Sequence, residues 1–487
     1  MKKDTRNTFI LLDAAILTVL LLIGLMVRMY KINTPLADFH SWRQADTAAV
    51  ARNFVRDGFN LLSPRYDDLS NFQSGVENPE GYRFVEFPIY NALFAGSYTI
   101  APFAPIEVHG RIVSAIFSLC IVAILYYFLL KETGRIGAVF AAATYATLPT
   151  VVFWSRVVLP DVMAVSTSFI SAFFLYKWVE ERNKKGWIYL FLALFFFTTS
   201  VLVKPTVIFF AIPLIYLFVR RYDLSVVKNP VVYLFFILSV IPLALWRFYI
   251  QAHPEGIPAS AWLITTVNTF EGPRTIFLRP AFFRWIFFER INNIALGGYL
   301  TFLFLLGVVS QTKKYFLYSI LAASLLYLFV FEGGNVQHEY YQILIYPALA
   351  IFIGVGVNFL YAKKRELTSV ALSTAVVISC FALAYYFSYY KVKEYYHIPN
   401  DLIQISSIIK TFTSPNDKIV TDRMGDTTLL YLSDRKGSPG MSKSPEEFKT
   451  MGYKYLVTAS KDLIQDMQVK QTGKIVFQND QFTLFEL

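Results

Sequence analysis

Long apolar runs recur through the first 390 of the 487 residues, and they constrain the fold of this chain more than any other feature. They fall at 8–30, 109–130, 136–153, 161–179, 187–203, 205–220, 230–250, 294–310, 314–331, 341–361 and 368–388, about eleven in all. Each is close to the roughly 17–25 residues that a helix needs to cross a bilayer's hydrocarbon core. Backbone polar groups find no water there, so runs this long and apolar read as helices that satisfy their own hydrogen bonds. Charged residues are 16% of the chain, against about 25% in a soluble domain. The expected fold is an α-helical polytopic membrane protein with about 11 (11–13) transmembrane helices and outer juxtamembrane helices. The first run is too long for a removed signal peptide and lacks a small-residue cleavage site, so it reads as a retained helix.

Lysine and arginine accumulate in cytoplasmic connections. Met1–Arg6, Lys131–Arg135, Glu180–Lys185, Arg220–Lys228, Lys313/Lys314 and Lys363–Arg365 fall on one side if 8–30 is the first crossing. The extracytoplasmic side then receives 31–108, 154–160, the Lys204 junction, 251–293, 332–340 and the tail from 391. This requires 87–107 to lie in the outer interface without crossing. The net charge of +11 is then mostly a topology signal and gives no argument for nucleic acid. Cys120 and Cys380, the two cysteines, both sit in apolar runs, have no metal-ligand spacing and define no disulfide framework.

The expected organisation is a transmembrane catalytic region over 1–390, with outer loops at 31–108 and 251–293, followed by a soluble outer domain over 391–487. The tail alternates helical patterns (Asp401–Thr411, Pro445–Met451, Lys461–Met467) with short strands (Ile419–Thr421, Tyr455–Thr458, Lys474–Gln478, Phe482–Leu487). That predicts a small C-terminal α/β domain. No internal repeat of the kind found in many secondary transporters is visible.

Chemistry concentrates in Asp38-Phe39-His40-Ser41-Trp42-Arg43-Gln44-Ala45-Asp46-Thr47, directly after the first run. Ionisable groups near membrane depth are costly and mark function by default. Ser41-x-x-Gln44 has capping-box spacing and predicts a helix from Trp42 that stops before Gly58. Asp38 and His40 then stand ahead of a helix N-terminus, where an anion is welcome. Arg43 and Asp46 share a face of that helix; a solvated ion pair is the plain alternative. Glu86, between aromatics and before Pro88, has the setting of a partly buried carboxylate or a metal partner; an interfacial Glu exposed to water is the equal alternative. Arg111 could bind phosphate or simply snorkel, and the structural role is favoured. Trp154-Ser155-Arg156 and Pro160-Asp161 bracket a tight loop, where an N-cap role for Asp161 competes with function. Lys204, before Pro205, interrupts an otherwise apolar stretch and calls for an anionic partner. His338 and Glu339, ahead of Tyr340 and Tyr341, suit acid–base, metal or lipid-phosphate contacts.

In order along the chain, Asp38-x-His40-x-Trp42-Arg43-Gln44-Ala45-Asp46-Thr47, Glu86-Phe87-Pro88, His109-Gly110-Arg111, Arg156…Pro160-Asp161, Lys204-Pro205 and His338-Glu339-Tyr340-Tyr341…Tyr346-Pro347 resemble the polyprenyl-phosphate-sugar glycosyltransferases of the GT-C class. The nearer branch is that of protein mannosyltransferases and lipid A aminoarabinose (ArnT-like) transferases. The resemblance implies a donor of polyprenyl-phosphate sugar and an acceptor that is a membrane lipid, a glycan or a protein. It implies a catalytic Asp in the first outer loop, Asp38, with Asp46 as its rival. Asp38 is followed by Phe39 where the family's signature has Glu, and the spacing to Ala51-Arg52 is longer. Arg43, Arg156, Lys204, His338 and Tyr340 become candidates for the donor phosphate. His40, Gln44, Glu86, Asp161, Glu339 and Tyr341 become substrate-positioning candidates. Glu86 and His338 are also the candidates for a divalent metal; no other cofactor is implied.

The implied reaction is an inverting displacement at the anomeric carbon, in which a carboxylate takes the acceptor proton and cations receive the departing phosphate. A transporter or flippase would carry its ionisable residues at mid-membrane on broken helices. Here they gather on one side, which favours an enzyme in the cell membrane with an extracytoplasmic site. A lipid-linked polysaccharide ligase is the nearest enzymatic rival, but it would carry its key residues in one large late outer loop. Arg284, in that second loop, reads as an interfacial anchor.

Overall fold

The structure, a computed structural model, describes residues 2–181, 186–258, 276–310, 315–363 and 369–487. Portions of the basic connections expected to face the cytoplasm, at 182–185, 313–314 and 364–365, lie outside the described residues. So do residues 259–275 of the loop expected at 251–293. The chain is a mostly helical, multi-pass membrane protein with a small C-terminal sheet. Among the described residues six helices are long and apolar enough to cross a membrane, and a seventh if Pro280–Ala295 and Leu300–Val309, bent by 116° from each other, count as one span. Phe316–Val330 and Tyr346–Ala362 are shorter apolar helices.

Several expected spans are broken, each for a local reason. The run 136–153 is two helices, Arg135–Thr147 and Pro149–Trp154. Leu148 between them is extended (φ −60°, ψ 124°), because a residue before proline is pushed out of the helical region. Lys204 is likewise extended (φ −148°, ψ 103°) before Pro205, so Gly186–Val203 stops there. The run 205–220 opens as a 3-10 turn, Pro205–Phe210, before the helix Ala211–Tyr222. The segment 87–107 holds a helix of 12 residues, Ile89–Ile100, and Ile106–Glu132 then begins a long apolar helix.

By internal contacts the chain forms two units. One comprises 1–32, 112–245 and 261–394; the other comprises 33–111, 246–260 and 395–487. In the first unit, small residues let helices meet at backbone distance. A Cβ on Gly307 would lie 1.9 Å from the Phe352 carbonyl oxygen, and one on Gly356 would lie 2.0 Å from that of Leu303. Gly354 abuts the Gly137 carbonyl in the same way, so Tyr346–Ala362 packs between Leu300–Val309 and Arg135–Thr147.

The second unit is built around the buried helix Ser41–Asp57 and a five-stranded sheet. The strands are β1 (Lys418–Thr421), β2 (Gly437–Ser438), β3 (Tyr453–Thr458), β4 (Lys474–Gln478) and β5 (Thr483–Glu486), in the order β2-β1-β3-β5-β4. β1 is parallel to β2 and β3, whereas β5 is antiparallel to β3 and β4. Alternation along the strands sends Ile419, Tyr455, Val457 and Leu484 to one core, and Val420, Leu456 and Phe485 to the other. The segment Asp67–Leu69, which follows the helix Ser41–Asp57, then pairs with β2. Leu69 N donates to the Gly437 carbonyl at 2.7 Å, and Gly437 N donates to that of Asp67 at 2.9 Å.

Candidate functional site

Within the second unit the site is assembled at the N-terminal end of Ser41–Asp57. His40 stands at the N-cap in the left-handed region (φ 55°) and contributes no side-chain cap. The expected capping box is therefore not made. Gln44 turns instead toward Asp38, donating to its Oδ1 at 2.7 Å and to the Phe39 carbonyl at 3.1 Å. The Ser41 hydroxyl accepts from Thr428 at 2.9 Å. Asp38 is buried, and its Oδ2 lies 3.9 Å from the guanidinium of Arg111. Arg111 does not snorkel: it is fully buried and donates to the carbonyls of Thr34 and Pro35.

Arg43 and Asp46 share the helix face as expected, but neither forms a solvated pair. Arg43 binds Glu86, and both are largely buried. Asp46 Oδ2 lies 2.7 Å from Arg83, and its Oδ1 accepts the Thr427 hydroxyl bond at 2.6 Å. Burial pushes the Asp46 carboxyl above its ordinary range, opposed by Arg83 and by the Thr427 bond. Asp68, which feels the charge of Asp46, is pushed up to about 7, chiefly by burial and against the bonds it accepts from Ser70. Arg43–Glu86 and Arg83–Asp46 are thus two buried acid–guanidinium pairs, and Asp68 is a third buried acid held by Ser70 and Tyr66.

The first unit gathers a second cluster. Asp161 is the first residue of the helix Asp161–Glu180, after Pro160, and is fully buried. Lys204 Nζ lies 3.2 Å from its Oδ1, so the anionic partner that the sequence demanded for Lys204 is present in the protein itself. The same ammonium stands 5.5 Å and 5.9 Å from the ring centroids of Tyr341 and Tyr340, within cation–π reach. His338 stacks on Tyr340 at 5.3 Å, and Trp154 packs against the same tyrosine ring at 6.3 Å. Arg156 is fully buried and donates to the Lys31 carbonyl at 3.0 Å. Glu339 pairs with Arg290 at 3.2 Å.

Lys204, Asp161, Tyr340, Tyr341 and His338 are thus brought together, as are Asp38 with Gln44 and Arg43 with Glu86, whereas Asp46 meets Arg83 and Thr427. Four contributors were missed from sequence. Arg111 reads in the sequence as a phosphate-binding or snorkelling residue and not as a partner of Asp38, and Arg83 and Arg290 carry no local signal that pairs them with Asp46 and Glu339. Thr427 carried no signal, since nothing local connects it to Asp46, 381 residues away. For a metal the fit is poor. Among the described residues no three His, Cys, Asp or Glu side chains gather to hold an ion. Glu86 is engaged by Arg43, and His338 is stacked on Tyr340.

A multi-pass helical bundle joined to a small α/β sheet, with buried acid–cation clusters, is the class that these features define. Residues 88–246, less than half of the chain, match the family model of dolichyl-phosphate-mannose-protein mannosyltransferase. No curated protein sequence matches. The fold is similar to that of ArnT from Cupriavidus metallidurans bound to undecaprenyl phosphate, with 12% identity, a TM-score of 0.62 and 98% of each chain covered. It is also similar to the Archaeoglobus fulgidus oligosaccharyltransferase complexed with Zn and sulfate, at 12% identity and a TM-score of 0.57, over 91% of this chain and 68% of that one. The oligosaccharyltransferase AglB of the same organism, with an inhibitory peptide and a dolichol-phosphate, gives 12% identity and a TM-score of 0.56 over 92% and 69%. The resemblance read from the motifs, to polyprenyl-phosphate glycosyltransferases of the GT-C class, is therefore met by the family model and by the fold alike.

Proposed function

We propose that this chain is an inverting glycosyltransferase that moves a hexosyl or pentosyl group from a polyprenyl-phosphate donor to a hydroxyl of a lipid, glycan or protein acceptor. The observation that carries the reading is Asp38: a buried carboxylate ahead of a helix N-terminus, held by Gln44 with Arg111 beside it. Asp38 takes the proton of the acceptor hydroxyl as its oxygen attacks the anomeric carbon. The bond from that carbon to the phosphate oxygen breaks, and polyprenyl phosphate leaves with the electron pair. One displacement inverts the configuration and needs no covalent intermediate. Asp46 fits the base less well, because Thr427 and Arg83 take one oxygen each.

Roles for the other residues follow from their chemistry. In the first unit Lys204, Arg156, Tyr340 and His338 are the candidates to receive the phosphate charge; in the second, Arg43 is the candidate. Asp161, Tyr341 and Glu339 are the candidates to orient those groups or the substrate in the first unit, and His40, Gln44 and Glu86 are the candidates in the second. The enzyme crosses a cell (inner or plasma) membrane about eleven times, with the loops after the first crossing and the tail on the extracytoplasmic face. Residues 1–390 carry the transmembrane catalytic region, and 391–487 the outer α/β domain.

The test incubates the purified protein with a panel of polyprenyl-phosphate sugars and no nucleotide, and follows release of polyprenyl phosphate. Release by the wild type that is lost in a folded Asp38→Asn variant supports the reading. Release that survives in a folded Asp38→Ala, Asp46→Ala variant overturns it. So does movement of lipid across vesicles without turnover, which would mark a flippase.

A further inference from the structure

The second unit carries a cleft outside the clusters described so far. Its volume is about 650 Å³, and its walls come from the outer loop (Asn53 to Glu80) and from the tail (Pro415 to Lys436). An adjoining cavity of about 290 Å³ shares Asn53, Asp57 and Arg65 with it and adds Tyr82. Ligand clefts commonly measure roughly 300–1,000 Å³. Five basic and five acidic side chains line the larger cavity, so its formal charge is balanced and it offers no net field to a phosphate or a polyanion. Many of those groups are paired side by side, such as Arg65 with Glu80 at 2.6 Å, with side chains 40% and 53% exposed. Each such pair presents N–H donors next to carboxylate acceptors.

Asn53 sits where the two cavities meet. It is 2% exposed, and its Nδ2 donates to the Arg65 carbonyl at 3.0 Å, while its Oδ1 is buried without a hydrogen-bond partner. Buried acceptors are normally paired, so this oxygen is an exception at the junction of the two cavities, and a hydroxyl brought there would supply the missing donor. The ligand that fits is one whose groups each donate and accept, and which also has apolar faces. A sugar hydroxyl does both. The ring C–H faces of a sugar suit the Tyr82 ring and the Leu69 and Pro79 side chains.

We propose that this double cleft binds an uncharged oligosaccharide stretch of the acceptor. The inference rests on the glycosyltransferase reading for the word acceptor, and it narrows that reading from lipid, glycan or protein to a substrate with a neutral glycan portion.

The test presents the full-length protein in detergent micelles to an array of neutral oligosaccharides, with neutral peptides and inorganic phosphate alongside. Two variants are compared: Arg65→Ala with Glu80→Ala, whose exposed side chains can be removed without loss of a core, and Asn53→Leu. At least one neutral oligosaccharide is retained by the wild type, and each variant weakens it about tenfold or more. Binding of polyprenyl phosphate, measured on the same samples, is unchanged. Retention of no neutral oligosaccharide, retention equal in all three proteins, or preference for the peptides or for phosphate overturns the proposal. Failure of polyprenyl-phosphate binding with intact, variant-sensitive glycan binding would instead sink the donor reading and leave the cleft standing.

Discussion

Asp38 and Asp46 belong to the same short stretch and are both buried, yet their surroundings give opposite consequences for the same substitution. Asp46→Asn removes the charge facing Arg83, a guanidinium that is itself buried. Stranding one member of a buried pair typically costs about 3–5 kcal/mol, so this variant should melt well below the wild type in thermal unfolding. Asp38→Asn leaves Arg111 its two carbonyl acceptors and Gln44 an oxygen to bind. Its melting should stay near the wild type, while turnover falls by roughly 10²–10⁴, the usual worth of a positioned base. Equal melting losses in both variants would erase the distinction. At this scale the sequence exposed what lies close along the chain: Asp38, Gln44 and Asp46 were visible as one dense motif. It concealed what meets only through folding, since Arg83, Arg111 and Thr427 are ordinary residues until the chain brings them to a carboxylate.

Among the helices, composition located the apolar segments, and proline decided where they break. Lys204 was found because Pro205 follows it in an apolar stretch. Pro149 carries the same signal, but the run around it was long enough to read as one span. Pro205→Ala removes the steric bar on a helical Lys204. The helix Gly186–Val203 should then extend and carry Lys204 away from Asp161 and the two tyrosine rings. Turnover should fall with donor KM raised and melting little changed; an unchanged KM would show that the break does not position Lys204. Helix packing follows a different rule that hydropathy cannot reveal. Gly307 and Gly356 leave no room for a methyl group, because the nearest atoms are backbone carbonyls that cannot rotate away. Gly307→Ala or Gly356→Ala must therefore push the facing helices apart, at a cost of about 2 kcal/mol or more. The measurable result is a lower melting temperature in detergent, and a wild-type melt in either variant would contradict the close approach.

For the molecule as a whole, a cut at residue 390 follows the change from apolar to polar composition, but contacts run differently. They join the tail to 33–111, through the strand pairing at Asp68 and Gly437 and through Thr427 on Asp46. The tail's longer strands and helices were legible from alternation and turns. The two-residue strand β2 and the helix Thr428–Ser433 were not, because each is too short to show a period. That union has a pH signature, and Asp68 sets its window. In the unfolded chain an aspartate titrates near about 3.9, whereas burial beside Asp46 raises Asp68 to about 7 in the folded unit. Between those values the folded form holds more protons than the unfolded form, so stability declines as pH rises. The contribution is full below about pH 4 and is lost as pH passes about 7. Asp46 and Asp67, both raised by burial, act in the same sense. Asp434 is lowered, with Arg56 and Arg52 outweighing its burial, and opposes them by losing its contribution as pH falls. Asp68→Asn keeps the neutral form at every pH. It should therefore match the wild type near pH 4.5, melt higher at pH 8, and flatten the slope between; parallel pH curves for the two proteins would show that Asp68 ionises freely in the folded unit.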